Sequence, residues 1–163
     1  MSSPSGLLRL RIKRGVNLAV RDINSSDPYL VIEMGRTKLK TSVIKRNVNP
    51  LWNEDFTLSV SDPSVHIHLT VYDHDRFSKD DKMGDAEFDI KALLDATRMD
   101  LKGLPSGTVL ARVQPSEHNC LGDESCISYI DGNVSQDLVL RLRNVECGEI
   151  ELSMQWKDAA RGR

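Results

Sequence analysis

Apolar and polar residues alternate along most of this chain, in short runs separated by turn signals. Leu8, Leu10 and Ile12 interleave with Arg9, Arg11 and Lys13. That period of two predicts a half-buried β-strand over 7–17, closed by Gly15 and Asn17. Pro28 cannot donate to a sheet ladder, so it opens a second strand over 29–34. Gly35-Arg36 is a tight connection to a third strand over 37–44, with Lys38 and Lys40 on one face. Leu51-Trp52-Asn53-Glu54 introduces a fourth over 56–60. Val65, Ile67, Leu69 and Val71 alternate with His66, His68 and Thr70 in a fifth, and 84–90 reads as a sixth. Residues 91–98 are good helix formers and predict one short helix. Two final strands carry Leu138, Leu140 and Leu142, then Ile150, Leu152 and Met154, joined at 144–148.

Between the helix and those last strands lies 101–133, rich in Gly, Pro, Ser and Asn, with two candidate short strands at 109–113 and 126–130. A structureless connection of that length is uncommon in a compact domain and is usually functional or disordered. About eight alternating strands and one short helix predict an all-β fold, an antiparallel β-sandwich. At 163 residues a single domain is expected. A chain of this size buries roughly 70% of its unfolded surface. Residues 1–6 and 158–163 are polar and are expected to be tails on a domain spanning 7–157.

A net charge of -2 leaves any membrane or nucleic-acid role to local charge, and no nucleic-acid partner is expected. No signal-peptide core opens the chain. Cys120, Cys126 and Cys147 are odd in number and lack zinc spacing, which predicts reduced thiols in the cytosol or nucleus.

The candidate chemistry lies in two acidic loops. One holds Asp22 and Asp27; the other holds Asp73, Asp75 and Asp81, with Asp80 beside them. Two bare carboxylates about 4 Å apart repel by about 4 kcal/mol at an effective dielectric near 20. If the fold joins the loops they need a cation, and flexible oxygen-rich loops suit calcium better than magnesium. An EF-hand is excluded: counting from Asp73, Ser78 stands where Gly is wanted and Gly84 where Glu is wanted. A phosphotransferase Asp-x-Asp nucleophile and a solvated polar hairpin remain open alternatives. His66 and His68 share a face but show no third ligand, so a solvated strand face is the favoured reading. No Gly-rich phosphate loop with Lys and no nucleophile–base pair is present, so no enzyme is expected.

Together, Asp22-x4-Asp27-Pro28-Tyr29, Asn49-Pro50-Leu51-Trp52-Asn53-Glu54, Asp73-x-Asp75-x5-Asp81 and Met83-Gly84 resemble a C2 domain, a calcium-dependent phospholipid-binding sandwich. The first acidic loop follows the first strand, and Gly148-Glu149-Ile150-Glu151-Leu152 closes the chain, which looks like the permuted type II topology. The long insert, Asn119-Cys120-Leu121 and the run from Val139 to Leu152 are similar to the plant C2-domain abscisic-acid-related family. The resemblance implies calcium ligands at Asp22, Asp27, Asp73, Asp75 and Asp81, with backbone carbonyls of Arg21 and His74. Two calcium ions would set about +4 against about -5, turning repulsion of anionic lipid into attraction. Asp80 is one place off the pattern and is expected to face solvent.

Ile23 and Phe77 fall at the loop tips, with Arg76 and Lys79 beside Phe77 to meet headgroups. Lys38 and Lys40, with Arg36 and Lys45, look like the basic cluster that binds phosphoinositides in some relatives; a solvated strand face is the equal alternative. The family further implies recruitment of abscisic acid receptors to the plasma membrane, GTPase activation of a partner, and a peripheral-membrane, cytoplasmic and nuclear location. The insert 101–133 is expected to be the partner-specific surface.

Overall fold

The computed structural model describes residues 6–23 and 25–158. Ten strands and one helix follow in order: β1 (Gly6–Val16), β2 (Pro28–Met34), β3 (Thr37–Lys40), β4 (Leu51–Val60), β5 (His66–Asp73), β6 (Asp81–Asp89), α1 (Lys91–Thr97), β7 (Thr108–Val113), β8 (Ser125–Ile130), β9 (Asn133–Arg141) and β10 (Glu149–Asp158). They form two antiparallel sheets, one of six strands in the order β4-β1-β10-β9-β8-β7 and one of four in the order β3-β2-β5-β6. The first strand lies between β4 and the last strand, which is the permuted arrangement read from the loop order. The inward rows of Leu8, Leu10 and Ile12, of Ile67, Leu69 and Val71, and of Ile150, Leu152 and Met154 are all buried between the sheets. Each such side chain contributes roughly 1.5–3 kcal/mol of burial.

The architecture differs from the expected eight strands in the insert. Both candidate short strands form, and β8 and β7 extend the larger sheet beyond β9. The reason is a two-residue turn, Asp131-Gly132, with φ of 49° and 84°, between paired Ile130 and Asn133. Positive φ at both central residues is the type I′ geometry that matches strand twist. So 101–133 is not a structureless connection. Its irregular part is tied down by Asn119, whose Oδ1 accepts from the Ser116 and Leu121 amides and whose Nδ2 donates to the Gln114 carbonyl. Leu121 then bridges to Leu140 on β9.

Further boundaries shift, and β4 begins at Leu51 rather than at 56. β3 stops at Lys40 rather than at 44, because the Thr41 hydroxyl takes over the Leu30 amide at 2.9 Å. Ser42 is then held by Glu54 and by the Trp52 indole, which donates to the Ser42 carbonyl at 3.0 Å. The Trp-Asn-Glu run therefore anchors the 41–50 loop as well as opening β4. β6 begins at Asp81 rather than at 84, which places that aspartate on a strand directly opposite Asp73. The ends of the chain are longer than expected too: Gly6 and Asp158 are paired residues of β1 and β10, not tail. The remainder of the two expected tails lies outside the described residues.

Candidate metal centre

Three loops meet at one end of the sandwich: 17–27 after β1, 41–50 after β3, and 74–80 after β5. The first is closed on itself by Ser26, which is fully buried. Its hydroxyl donates to the Ala19 carbonyl and accepts from the Arg21 amide, both at 2.8 Å. The Asp22 amide donates to the Ser25 carbonyl, also at 2.8 Å. The 41–50 loop packs beside it: the Asn47 amide donates to the Ser26 carbonyl and the Ile44 amide to the Pro28 carbonyl, both at 3.0 Å. The third loop is pinned where it leaves β5, since the His74 amide donates to the Asp27 carbonyl at 2.9 Å. Backbone pairing across loops thus fixes where the acids stand.

Asp22, Asp27 and Asp73 converge, each offering a carboxylate oxygen within 4.8 Å of the others. Asp73 is 2% exposed and accepts from the Asp27 amide at 2.8 Å; Asp27 accepts from the Arg46 amide at 2.7 Å. Burial pushes the Asp73 carboxyl above the usual carboxylate range; the Asp27 amide opposes that, and the charges of Asp22, Asp27 and Asp81 add to it. Among the described residues none of the three forms an ion pair with Lys or Arg. Arg21, the nearest guanidinium in sequence, is taken by Glu146 through two bonds of 2.8 and 2.9 Å. That pair holds the Glu146 carboxyl down at about 2. An all-oxygen set with no Lys or Arg paired to it among the described residues fits a hard divalent ion such as calcium.

The other expected ligands stand differently. Asp81 is opposite Asp73 across β5 and β6, close enough for its charge to act on Asp73. Asp75 is turned into its own loop: it accepts from the Phe77 amide at 2.9 Å and the Ser78 hydroxyl at 2.7 Å, and these hold its carboxyl below the usual range. Among the described residues the carbonyls of Arg21 and His74 accept no hydrogen bond.

Asp80 corrects the expectation of a solvent-facing residue. It is half-buried, accepting from the Asp75 amide at 2.9 Å and from the Tyr29 hydroxyl in a short bond, with His74 Nδ1 at 3.6 Å. Tyr29 in turn stacks on Tyr72 with ring centroids 5.5 Å apart. Burial first, then Asp80, pushes the Tyr29 phenol well above its ordinary range. Asp80 is therefore a brace for the loop that carries Asp75. Ser26, Arg46 and Glu146 were also not singled out from the sequence. Only the small polar pair Ser25-Ser26 between the two loop aspartates hinted at a turn.

The tips are bare. Ile23 is 95% exposed and Phe77 90% exposed, so Phe77 does not fold back on the sandwich edge. Arg76 and Lys79 are exposed beside it, and Arg36, Lys38, Lys40 and Lys45 are exposed just before, along and after the edge strand β3. Leu39 between the two lysines packs inward, so Lys38 and Lys40 both point away from the core. Among the described residues none of these six makes an ion pair. His66 and His68 do find a third group, Glu87 Oε2, at 3.2 and 3.8 Å. Glu87 is also bonded by Arg143 at 3.3 Å, so this cluster is a charge network on an exposed strand face.

Residues 6–103 match the C2 domain family. The Arabidopsis thaliana protein C2-domain ABA-related 4 is 66% identical over 153 residues, 94% of this chain and 86% of that protein. C2-domain ABA-related 5 of the same plant is 64% identical over 158 residues, covering 97% of this chain and 79% of that one. A rice protein (Oryza sativa subsp. japonica) named GTPase activating protein 1 is 54% identical over 94% of this chain and 92% of its own length. Among solved structures, a calcium-bound pair of C2 domains from extended synaptotagmin 2 shares the fold with a TM-score of 0.67 at 22% identity, covering 97% of this chain and 48% of that one. A single C2 domain of plant extended synaptotagmin 1 gives 0.64 at 23% identity, covering 95% and 96%. The chain is a C2 domain and belongs to the plant C2-domain ABA-related family.

Proposed function

We propose that this protein is a calcium-switched peripheral membrane adaptor. It docks on anionic phospholipid through its acidic loops and recruits abscisic acid receptors to the cytosolic face of the plasma membrane, while also residing in cytoplasm and nucleus. The observation that carries this reading is the unbalanced Asp22, Asp27 and Asp73 cluster lying between two loops whose tips, Ile23 and Phe77, are bare apolar side chains. Asp22, Asp27, Asp73 and Asp81 would hold calcium, with Asp75 released from its turn to join them. When bound, calcium supplies positive charge and open positions for lipid phosphate oxygens. The acids alone repel an anionic surface, so the tips reach the acyl region only once that repulsion is cancelled. Lys38, Lys40, Arg36 and Lys45 add a second, calcium-independent attraction. The names of the relatives supply a tie to abscisic acid (ABA) alone, and the receptor as partner is part of this proposal.

The deciding experiment is co-sedimentation with phosphatidylserine vesicles in calcium and in chelator. Pelleting only with calcium is expected. Pelleting in both would move the weight to the basic strand, and none in either would reject a membrane role.

A second reading, activation of a partner GTPase, is favoured by the name of the rice relative. It would act through the partner's own catalytic residues or through an arginine lent to them. Partner GTP turnover that rises with this protein regardless of calcium and lipid is the result that would favour it.

A further inference from the structure

Besides the three loops that bracket the acidic centre, a fourth turn reaches it: 142–148, between β9 and β10. It supplies none of the expected ligands. It is also built without help from the centre. The Leu142 amide donates to the Gly148 carbonyl at 3.0 Å and closes it. Asp85 of β6 braces its other side, where Arg143 Nη2 and Asn144 Nδ2 each donate to that carboxylate at 2.8 Å. The turn presents Glu146 to the first acidic loop, and there Arg21 Nη1 and Nη2 donate to its two oxygens at 2.8 and 2.9 Å. Two parallel bonds of this kind fix orientation as well as adding energy.

Arg21 is not an ordinary surface cation. Its side chain is 26% exposed, it precedes Asp22 in the chain, and it stands close enough to Asp81 for the two charges to interact. It lines the same open hollow as Asp22 and Asp27. Apart from Glu146, its guanidinium bonds among the described residues only to the Val20 carbonyl, at 3.3 Å. A half-buried guanidinium that loses its carboxylate is driven to another, and those within reach of its charge belong to the metal centre. We infer that Glu146 is a positioning residue for that centre: it holds the Arg21 guanidinium outside the ring of carboxylates and so keeps their oxygens free for calcium. Without Glu146, Arg21 turns in on Asp22 or Asp81 and competes with the ion. The inference rests on the calcium reading of the site.

A pair that merely tied the turn to the loop would behave differently, and calcium titrated alone by calorimetry tells the two apart. The proteins are the full chain, Glu146→Gln, Arg21→Gln and the double variant. Glu146→Gln keeps the length and removes the charge, and it is expected to bind calcium about tenfold more weakly, the worth of one charge-assisted pair set against the ion. Arg21→Gln breaks the same clamp yet leaves no stray cation, so it is expected to bind at least as tightly as the parent. The double variant is expected to regain the parent's affinity. Exposed ion pairs add little to stability, so all four are expected to melt alike in chelator. A folding defect would persist in the double variant, whereas competition from Arg21 would not. NMR of the Arg21 Nε–Hε group gives a second readout. Its signal is expected to stay in place when calcium is added to the parent and to move when calcium is added to Glu146→Gln. Equal weakening in both single variants, or parental affinity in Glu146→Gln, would overturn the inference while leaving the calcium site intact. No calcium binding by the parent would overturn the calcium reading itself, and the role of Glu146 with it.

Discussion

Asp73 does two opposed things. Its Oδ1 holds the Asp27 amide in place, while its charge sits buried against two other carboxylates. Asp73→Asn keeps the oxygen and removes the charge. The metal-free variant is therefore expected to melt no lower than the parent, and higher if repulsion dominates. The gain on adding calcium is expected to vanish. For the parent, calcium at a hundredfold its dissociation constant stabilises by about 2.7 kcal/mol, roughly 5–10 °C in a domain of this size. Calorimetry of both proteins with calcium and with chelator reads the difference. An unchanged calcium shift in the variant would place the ion elsewhere. The two acidic loops were legible in the sequence because five aspartates fall in two turn-bounded stretches, and three of them, Asp22, Asp27 and Asp73, converge. Their states were not. Asp75 spends its carboxylate on neighbours two and three residues away, and Asp80 is buried by Tyr29, 51 residues earlier. Only the fold decides such contacts.

The alternation of period two located the strands, yet the insert shows where that signal fails. β7 and β8 each carry six residues with few fully buried positions, so their apolar rhythm is weak. Composition outweighed pattern there, and the Asp131-Gly132 dipeptide, a strong hairpin signal, was absorbed into a stretch read as irregular. Its geometry is a direct test of how the insert is built. Gly132 has φ of 84°, and a β-branched side chain there costs about 1–2 kcal/mol or more. Gly132→Val is expected to lower the melting temperature by roughly 2–8 °C. Calcium and lipid binding should hold, because nine residues of β9 at about 3.3 Å each separate this turn from the loop that carries Glu146. A melting curve that does not move would mean that the hairpin turns some other way. Deleting 101–133 outright is a poor test of partner binding, since Ile127 of β8 is fully buried and β8 covers the edge of β9.

At the scale of the whole molecule, a chain of net charge -2 is proposed to settle on an anionic surface, so its attraction must be local. Two kinds of contact are available and they respond differently to salt. The tips act by burial: losing Phe77 removes roughly 1.5–3 kcal/mol, about 10- to 150-fold in vesicle affinity. The lysines of β3 act by charge, about 1 kcal/mol each near an anionic leaflet. Lys38→Ala with Lys40→Ala is therefore expected to cost about thirtyfold. Charge contacts fade as the Debye length falls from about 10 Å at 0.1 M salt to about 3 Å at 1 M. Vesicle titrations in calcium should show the lysine penalty shrinking as salt rises while the Phe77→Ala penalty persists. Lys40 immediately precedes the 41–50 loop that brackets the acidic centre, so both contacts can reach one surface. If the lysine variant binds like the parent at low salt, β3 faces away from the lipid, and docking rests on the metal centre and its two tips alone.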